Sequence, residues 1–291
     1  MKAPGEAAAE RFAFGENWKR FLATVNDERI DEAEASLKTM LEVERLDGRT
    51  FLDLGSGSGL FSLAARRLGA KVTSFDVDPD SVSCTEEVKR RYFPEDTAWA
   101  VHSGSVLDRP FMARLGSFDV VYSWGVLHHT GAMWDAIDAT CASVAPEGLL
   151  FIALYNDQGG TSRRWLAIKK RYNRSSTLVR WFLVLAVGFY QETRAVLQQI
   201  TRLRNPLQPS RKRRGMSRWH NLVDWVGGYP FEVAKPESVL DFCRKRGFEL
   251  IRLTTMGGGL GCNEFVFRRR RTEALARGRG ELGCGSGPTW G

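Results

Sequence analysis

The chain is poor in the residues that build metal centres and disulfide frameworks. Four of its 291 residues are histidine (His102, His128, His129, His220) and five are cysteine (Cys84, Cys141, Cys243, Cys262, Cys284). The cysteine count is odd and no two stand at C-x-x-C spacing, which excludes a disulfide scaffold and leaves no zinc site to assign; no metal is expected. A run of about 20 apolar residues, the length that spans a bilayer, is also missing: WFLVLAVGFY, residues 181–190, stops at ten. The opening MKAPGEAAAERF has no apolar stretch after its lysine, so the expectation is a chain without a secretory leader, located in the cytoplasm. No internal repeat is evident, which argues against a solenoid.

Acidic residues are scarce in one segment. Between Thr161 and His220 fifteen Lys and Arg face a single acid, Glu192, a net +14 against +8 for the whole chain, which leaves −6 for the remainder. The chain is therefore locally basic, and a nucleic acid or an anionic membrane surface would fit that segment. Its 43% hydrophobic content is ordinary for a packed core.

Apolar runs and helical stretches alternate from residue 50 onward. TFLDLG predicts a buried strand and LFSLAARRLG a helix closed by Gly69; KVTSFDVD and SVSCTEEVKRRYF form the next such pair. TAWAVHSGS predicts a third strand, SFDVVYSWG a fourth, WDAIDATCASV a helix ended by APEG, and GLLFIALY a fifth strand. Alternation of this kind predicts a parallel sheet with helices on both faces. After an interruption from about 156 to 234, helical but without strand signals, the pattern resumes in KPESVLDFCRKRG, FELIRLTT and NEFVFRR. ENWKRFLATVNDERIDEAEASLKTMLEV, ahead of the core, predicts one or two amphipathic helices, and the Gly- and Arg-rich residues 269–291 predict a disordered tail.

Glycine is concentrated where the first strand turns into its helix, as Gly55, Gly57 and Gly59 in LDLGSGSG. Such a turn lets a ligand approach bare backbone and meet the unpaired amides of the helix beyond. The spacing is G-x-G-x-G, with Leu60 where a dinucleotide fingerprint would place its third glycine, so a nicotinamide dinucleotide is disfavoured. LDLGSGSG resembles the first motif of class I S-adenosylmethionine-dependent methyltransferases, written D-x-G-x-G-x-G. VTSFDVD, FDVVYSWGVLHHTG and VAPEGLLFIALY resemble the motifs that follow it, and the nearest likeness is to the quinone-biosynthesis O-methyltransferase branch. The likeness is strong over about residues 45–155 and moderate over 236–268.

The resemblance implies a Rossmann-like, seven-stranded, mostly parallel sheet, with an N-terminal helical lid (1–45), a cofactor-binding core (46–155), a helical insertion after strand five (156–234) and a return to the sheet (235–268). It implies S-adenosyl-L-methionine as cofactor, held by Asp53, Gly55, Ser56, Gly57 and Gly59 at the turn, Asp76 on the ribose hydroxyls, and Val77, Ser105, Val106 and Ser123 nearby, with Asn17 and Trp18 lidding it. Ser105 departs from the pattern, because many relatives carry an acid there for the adenine amino group. Methyl transfer from a sulfonium needs mainly alignment and exclusion of water. An oxygen nucleophile gains from a base, and His128, His129 and His220 are the candidates, against a packing role for each. Tyr155, Asn156, Trp219 and Tyr229 stand at strand ends or in the dense aromatic stretch beyond the insert, as expected of substrate contacts.

The ten apolar residues at 181–190 lie between Lys169, Lys170, Arg171 and Arg174 on one side and Arg194, Arg202, Arg204 and RKRR (211–214) on the other. That pattern predicts an interfacial helix; a lid, a homo-oligomer face and nucleic-acid contact are the competing readings. The expected function is methyl transfer, at oxygen, to a small, hydrophobic or lipid-linked acceptor, by an enzyme located in the cytoplasm or peripherally at the inner face of the membrane. RNA or DNA methylation and an inactive binding protein of the same fold are the alternatives; no Asn-Pro-Pro-Tyr follows strand four, where Ser123, Trp124, Gly125 and Val126 stand instead.

Overall fold

Seven strands are joined in one sheet in a computed structural model that describes residues 18, 25–201, 218–257 and 259–271. Side chains at 191, 192, 194–201, 218–221 and 224 lie outside that description. The strands are β1 (Thr50–Leu54), β2 (Lys71–Asp76), β3 (Trp99–Ser103), β4 (Phe118–Trp124), β5 (Val144–Tyr155), β6 (Phe248–Thr254) and β7 (Cys262–Arg269), in the order β3-β2-β1-β4-β5-β7-β6. β1 to β5 pair in parallel, and β7 runs antiparallel to both of its neighbours. The chain builds outward from β1 to β3, then crosses back to lay β4 on the other side of β1. Ligands of open α/β sheets bind beyond the strand ends at such a reversal.

Both faces of the sheet are covered because the strands are apolar on both sides. Leu52, Leu54, Leu150, Ile152 and Phe265 face one core layer. Phe51, Tyr122, Phe151 and Val266 face the other, where Tyr122 stacks on Phe61 at 5.0 Å and meets Phe151 edge-on at 5.1 Å. The second layer is roofed by α1 (Asp27–Leu41), α2 (Leu60–Arg67) and α3 (Pro79–Tyr92). Asn26 caps α1 by accepting from the Arg29 amide, and Ile30, Ala33, Leu37, Met40 and Leu41 form its buried stripe. α1 therefore belongs to the core roof, not to a lid. α4 (Arg109–Leu115), α5 (Met133–Ala142) and α9 (Pro236–Arg244) cover the first layer.

The fifth strand starts earlier than its sequence predicts. Val144 already pairs with Phe118, the ladder shifts register, and Leu149 pairs with Val120. APEG does form an irregularity, with Glu147 at φ 63°, but the sheet absorbs it as a bulge. The expected insertion is helical: α6 (Gly160–Asn173), α7 (Thr177–Thr201) and α8 (Arg218–Gly227) close a small core of their own on Tyr172, Val184 and Val226. The tail from 272 lies outside the described residues.

Gly59 shows why the turn after β1 is glycine. Its φ is +77°, and a Cβ there would lie 2.9 Å from the Thr85 Cα on α3, a backbone atom that cannot move aside. Gly59→Ala should destabilise the protein by about 2–4 kcal/mol, from left-handed strain plus overpacking; a chemical denaturation midpoint equal to wild type would refute this.

Candidate active site

The turn after β1 is held against β2 by its own amides: Gly55 and Ser56 both donate to the Phe75 carbonyl, at 2.9 and 3.1 Å. The three glycines have different reasons. At Gly55 (φ +79°) a Cβ would strike the Val126 methyls at 2.5 Å, so close packing demands glycine there as at Gly59. At Gly57 (φ +54°) the nearest atoms to a Cβ would be those of the Trp18 indole, at 3.0–3.3 Å. The middle glycine thus opens a face of bare backbone onto which a flat aromatic group already fits.

Asp76 stands at the end of β2 beside that face. Its carboxylate accepts from the Gly57 amide at 3.0 Å and the Asp78 amide at 2.9 Å. Burial raises its pKa, and the amides of Asp78 and Gly57 oppose the rise. Val77, next to it, is 49% exposed, an apolar surface at the strand edge. Ser105 accepts from the Leu107 amide at 3.2 Å, Val106 is buried in the core, and Asp108 caps α4 by accepting from Phe111 at 3.1 Å.

Three of the residues expected to bind cofactor are tied into the scaffold. Ser123 is fully buried and its hydroxyl donates to the Leu54 carbonyl at 3.1 Å, linking β4 to β1. Asp53 points into the α2 side of the sheet, where Ser62 donates to it at 2.5 Å. Ser62 also bonds Ser74, at 2.7 Å, and Ser74 accepts from the Trp99 indole at 2.9 Å. Strand alternation explains this: Asp53 shares the face of Phe51, not that of Leu52 and Leu54. Ser56, likewise, shares a hydrogen bond with Thr85 at 2.9 Å.

Burial raises the Asp53 pKa from 3.8 to about 7, although Ser62 opposes the rise. The folded state then binds a proton that the unfolded chain releases, so the contribution of this group to stability is fully present below about pH 4 and is lost as pH climbs through about 7. The loss from this group is on the order of a few kcal/mol. Asp53→Asn should flatten that part of the pH–stability curve in thermal melts from pH 5 to 8; a slope as steep as wild type would contradict it.

A second cluster forms where β4 and β5 end. The short 3₁₀ turn Leu127–His129 follows β4. Its His128 is fully buried, 3.8 Å from the Tyr155 ring and 4.5 Å from His129. Neither His128 ring nitrogen has a partner of ordinary hydrogen-bond geometry. Burial, then His129 and Lys169, push its pKa well below the usual value, so it is neutral. His129 is part-buried, and its Nδ1 lies 2.5 Å from the Pro230 carbonyl. A carbonyl only accepts, so Nδ1 carries the hydrogen and the neutral ring has its lone pair on Nε2.

The segment after α8 braces this turn. Glu232 donates its amide to the His128 carbonyl at 3.0 Å, and its carboxylate accepts from the Met133 amide at 3.1–3.2 Å, an external cap for α5. Burial raises the Glu232 pKa. Tyr155 joins the histidines to the insert, 5.6 Å from Trp225 and 5.3 Å from Phe231. Tyr229 immediately precedes the Pro230 that holds His129.

Asn156 is scaffold: its amide donates to the Gly259 carbonyl and accepts from Asn263, both at 3.1 Å, which answers the expectation that it touches substrate. Trp219 and His220 fall on α8 with side chains outside the described residues, and Asn17 lies outside them altogether. Among the described residues no cluster of three or more His, Cys, Asp and Glu is placed to hold a metal.

Lys169 is the residue that sequence reasoning passed over. Counted there among the surface cations, it is fully buried, with Nζ bonded to the Trp225 carbonyl and 4.8 Å from the rings of both Trp225 and Phe231. Its signal was positional: Ser162, Trp165, Lys169 and Tyr172 form the inward stripe of α6.

A family model described as a methyltransferase domain matches residues 20–186. The ubiquinone biosynthesis O-methyltransferase of Xanthomonas campestris pv. campestris (strain B100) is 29% identical over 150 residues, 52% of this chain and 58% of that protein. The chain thus spans little more than half the length of that curated relative. The structure is similar to magnesium protoporphyrin IX methyltransferase from Synechocystis PCC 6803 solved with S-adenosylhomocysteine (TM-score 0.50, 15% identity, 87% of this chain and 93% of that one). It is similar also to an O-methyltransferase family protein from Burkholderia thailandensis (TM-score 0.52, 13% identity, 87% and 61%). At such identities the likeness bears on the fold.

Proposed function

Because this chain belongs to the methyltransferase-domain family, we propose that it is an S-adenosylmethionine-dependent enzyme methylating an oxygen of a small, hydrophobic or lipid-linked acceptor. The observation that carries the reading is the side-chain-free backbone at Gly57 beside the part-buried Asp76 carboxylate. These residues fit the cofactor: Asp76 would accept from the ribose hydroxyls, Gly57 and Trp18 would border the methionine part, and Val77 would face the adenine. When bound, the cofactor supplies a methyl group already activated by sulfonium charge.

The protein's part is alignment and proton removal. His129 takes the acceptor's hydroxyl proton on Nε2, with Pro230 fixing its tautomer. His128, neutral and enclosed, holds the Tyr155 ring in place. Tyr155, Trp225 and Phe231 make an aromatic wall that excludes water and suits an apolar acceptor. Oxygen is the favoured nucleophile because a histidine base accompanies the wall, and because a relative 29% identical over 150 residues is named an O-methyltransferase. An acceptor of that kind resides in lipid, which supports a reading in which the enzyme works from the cytoplasm at the inner membrane surface.

Calorimetry with S-adenosylmethionine and S-adenosylhomocysteine, followed by methyl-release assays over quinols, catechols, sugars and lipid extracts, tests this. Micromolar cofactor binding with turnover on a hydroxylated aromatic or lipid is expected. Absence of binding for both cofactor forms would refute the assignment.

A further inference from the structure

Six of the ten large apolar side chains exposed among the described residues lie on α7: Leu178, Trp181, Phe182, Leu185, Phe189 and Tyr190, at 54–83% exposure. The first five recur at helical spacing and form one stripe of three turns. The opposite side of the helix is accounted for, since Val184 is buried against Tyr172 and Val226, and Gly188 packs toward Leu222. Lys170, Arg171, Arg174 and Arg180 are exposed around the start of the helix, and no acid occurs in the sequence between Asp157 and Glu192.

We propose that this face of α7 docks the protein on an anionic lipid surface, with the Leu178–Phe189 stripe in the acyl boundary and the neighbouring cations on the headgroups. The proposal extends the reading of a lipid-linked acceptor, but it stands on binding and not on turnover. Charge decides the occupant. Two copies of the chain pairing through the stripe would bring their cationic rims together with no acid in either segment to offset them. A nucleic acid would meet uncharged side chains from Trp181 to Tyr190, whereas a negatively charged bilayer satisfies stripe and rim together. The helix lies along the surface, since no helix among the described residues is long and apolar enough to cross a membrane.

Sedimentation with vesicles of phosphatidylcholine alone, and of phosphatidylcholine mixed with phosphatidylglycerol, tests the surface. Wild type should pellet with the mixed vesicles and be released as salt approaches about 1 M, where screening falls to ~3 Å. Phe182→Glu with Phe189→Glu should weaken vesicle binding by about tenfold or more, the effect of keeping two large apolar groups out of the acyl region. Both sites are exposed, so far-ultraviolet circular dichroism and cofactor affinity should stay at wild-type levels. Lys170→Glu with Arg171→Glu should weaken binding to the mixed vesicles alone.

Failure of wild type to bind the anionic vesicles, or equal binding by the Phe182/Phe189 variant, overturns the proposal. So does a wild-type dimer in sedimentation velocity that this variant dissolves without any vesicle binding, or a nucleic acid that binds wild type more tightly than the vesicles do. Cofactor affinity measured on the same preparations separates failure of this surface from failure of the methyl-transfer reading.

Discussion

His129→Asn should lower kcat by about 10²- to 10⁴-fold, the range supplied by one positioned base, with cofactor affinity unchanged. Asparagine keeps a donor for the Pro230 carbonyl that now takes the Nδ1 hydrogen, so the turn after β4 should remain closed. What disappears is the lone pair on Nε2. Partial recovery on adding imidazole would identify the missing group as a base and not as packing. His128 makes the contrasting control: fully enclosed and stacked on Tyr155, its loss should show first as lower stability. A His129→Asn enzyme turning over within a few-fold of wild type would remove this histidine from the chemistry.

Asp76→Ala should weaken S-adenosylmethionine and S-adenosylhomocysteine binding by at least about tenfold in calorimetry. Hydrogen bonds to a charged group contribute roughly 1.5–3 kcal/mol each, and tenfold corresponds to about 1.4 kcal/mol. The carboxylate also accepts from the Gly57 and Asp78 amides, so its removal would loosen the turn as well. Asp76→Asn retains one acceptor oxygen and should fall between wild type and alanine. Equal affinity in all three proteins would disconnect this carboxylate from the cofactor.

Periodicity carried the architecture: strands read from apolar runs and helices from their stripes return as the sheet and its two roofs, and the interruption returns as α6, α7 and α8. The glycine turn and Asp76 were legible because spacing along one strand-turn-helix unit places them together. Roles set by distant partners were not. Nothing local reveals that the Ser123 hydroxyl finds the Leu54 carbonyl 69 residues away, or that Asn263 claims Asn156 from 107 residues downstream. Asp53 sits inside a recognisable motif, yet strand alternation turns it toward Ser62. Lys169 misled for the opposite reason: a cation in a basic segment reads as surface, and only the closing of α8 onto α6 encloses it. The early start of β5 belongs with these, since a bulge depends on the neighbouring strand and not on the turn residues themselves.

The chain leaves the sheet at Asn156 and comes back to the same point. Asn156 bridges Ala234, whose amide donates to the Tyr155 carbonyl at 2.9 Å and whose carbonyl accepts from Asp157 at 3.1 Å. A detour whose entrance and exit are stitched together makes few demands on the sheet through its length, because loop closure penalties grow only slowly with chain. Such a cassette can be shortened or extended without disturbing the turn after β1.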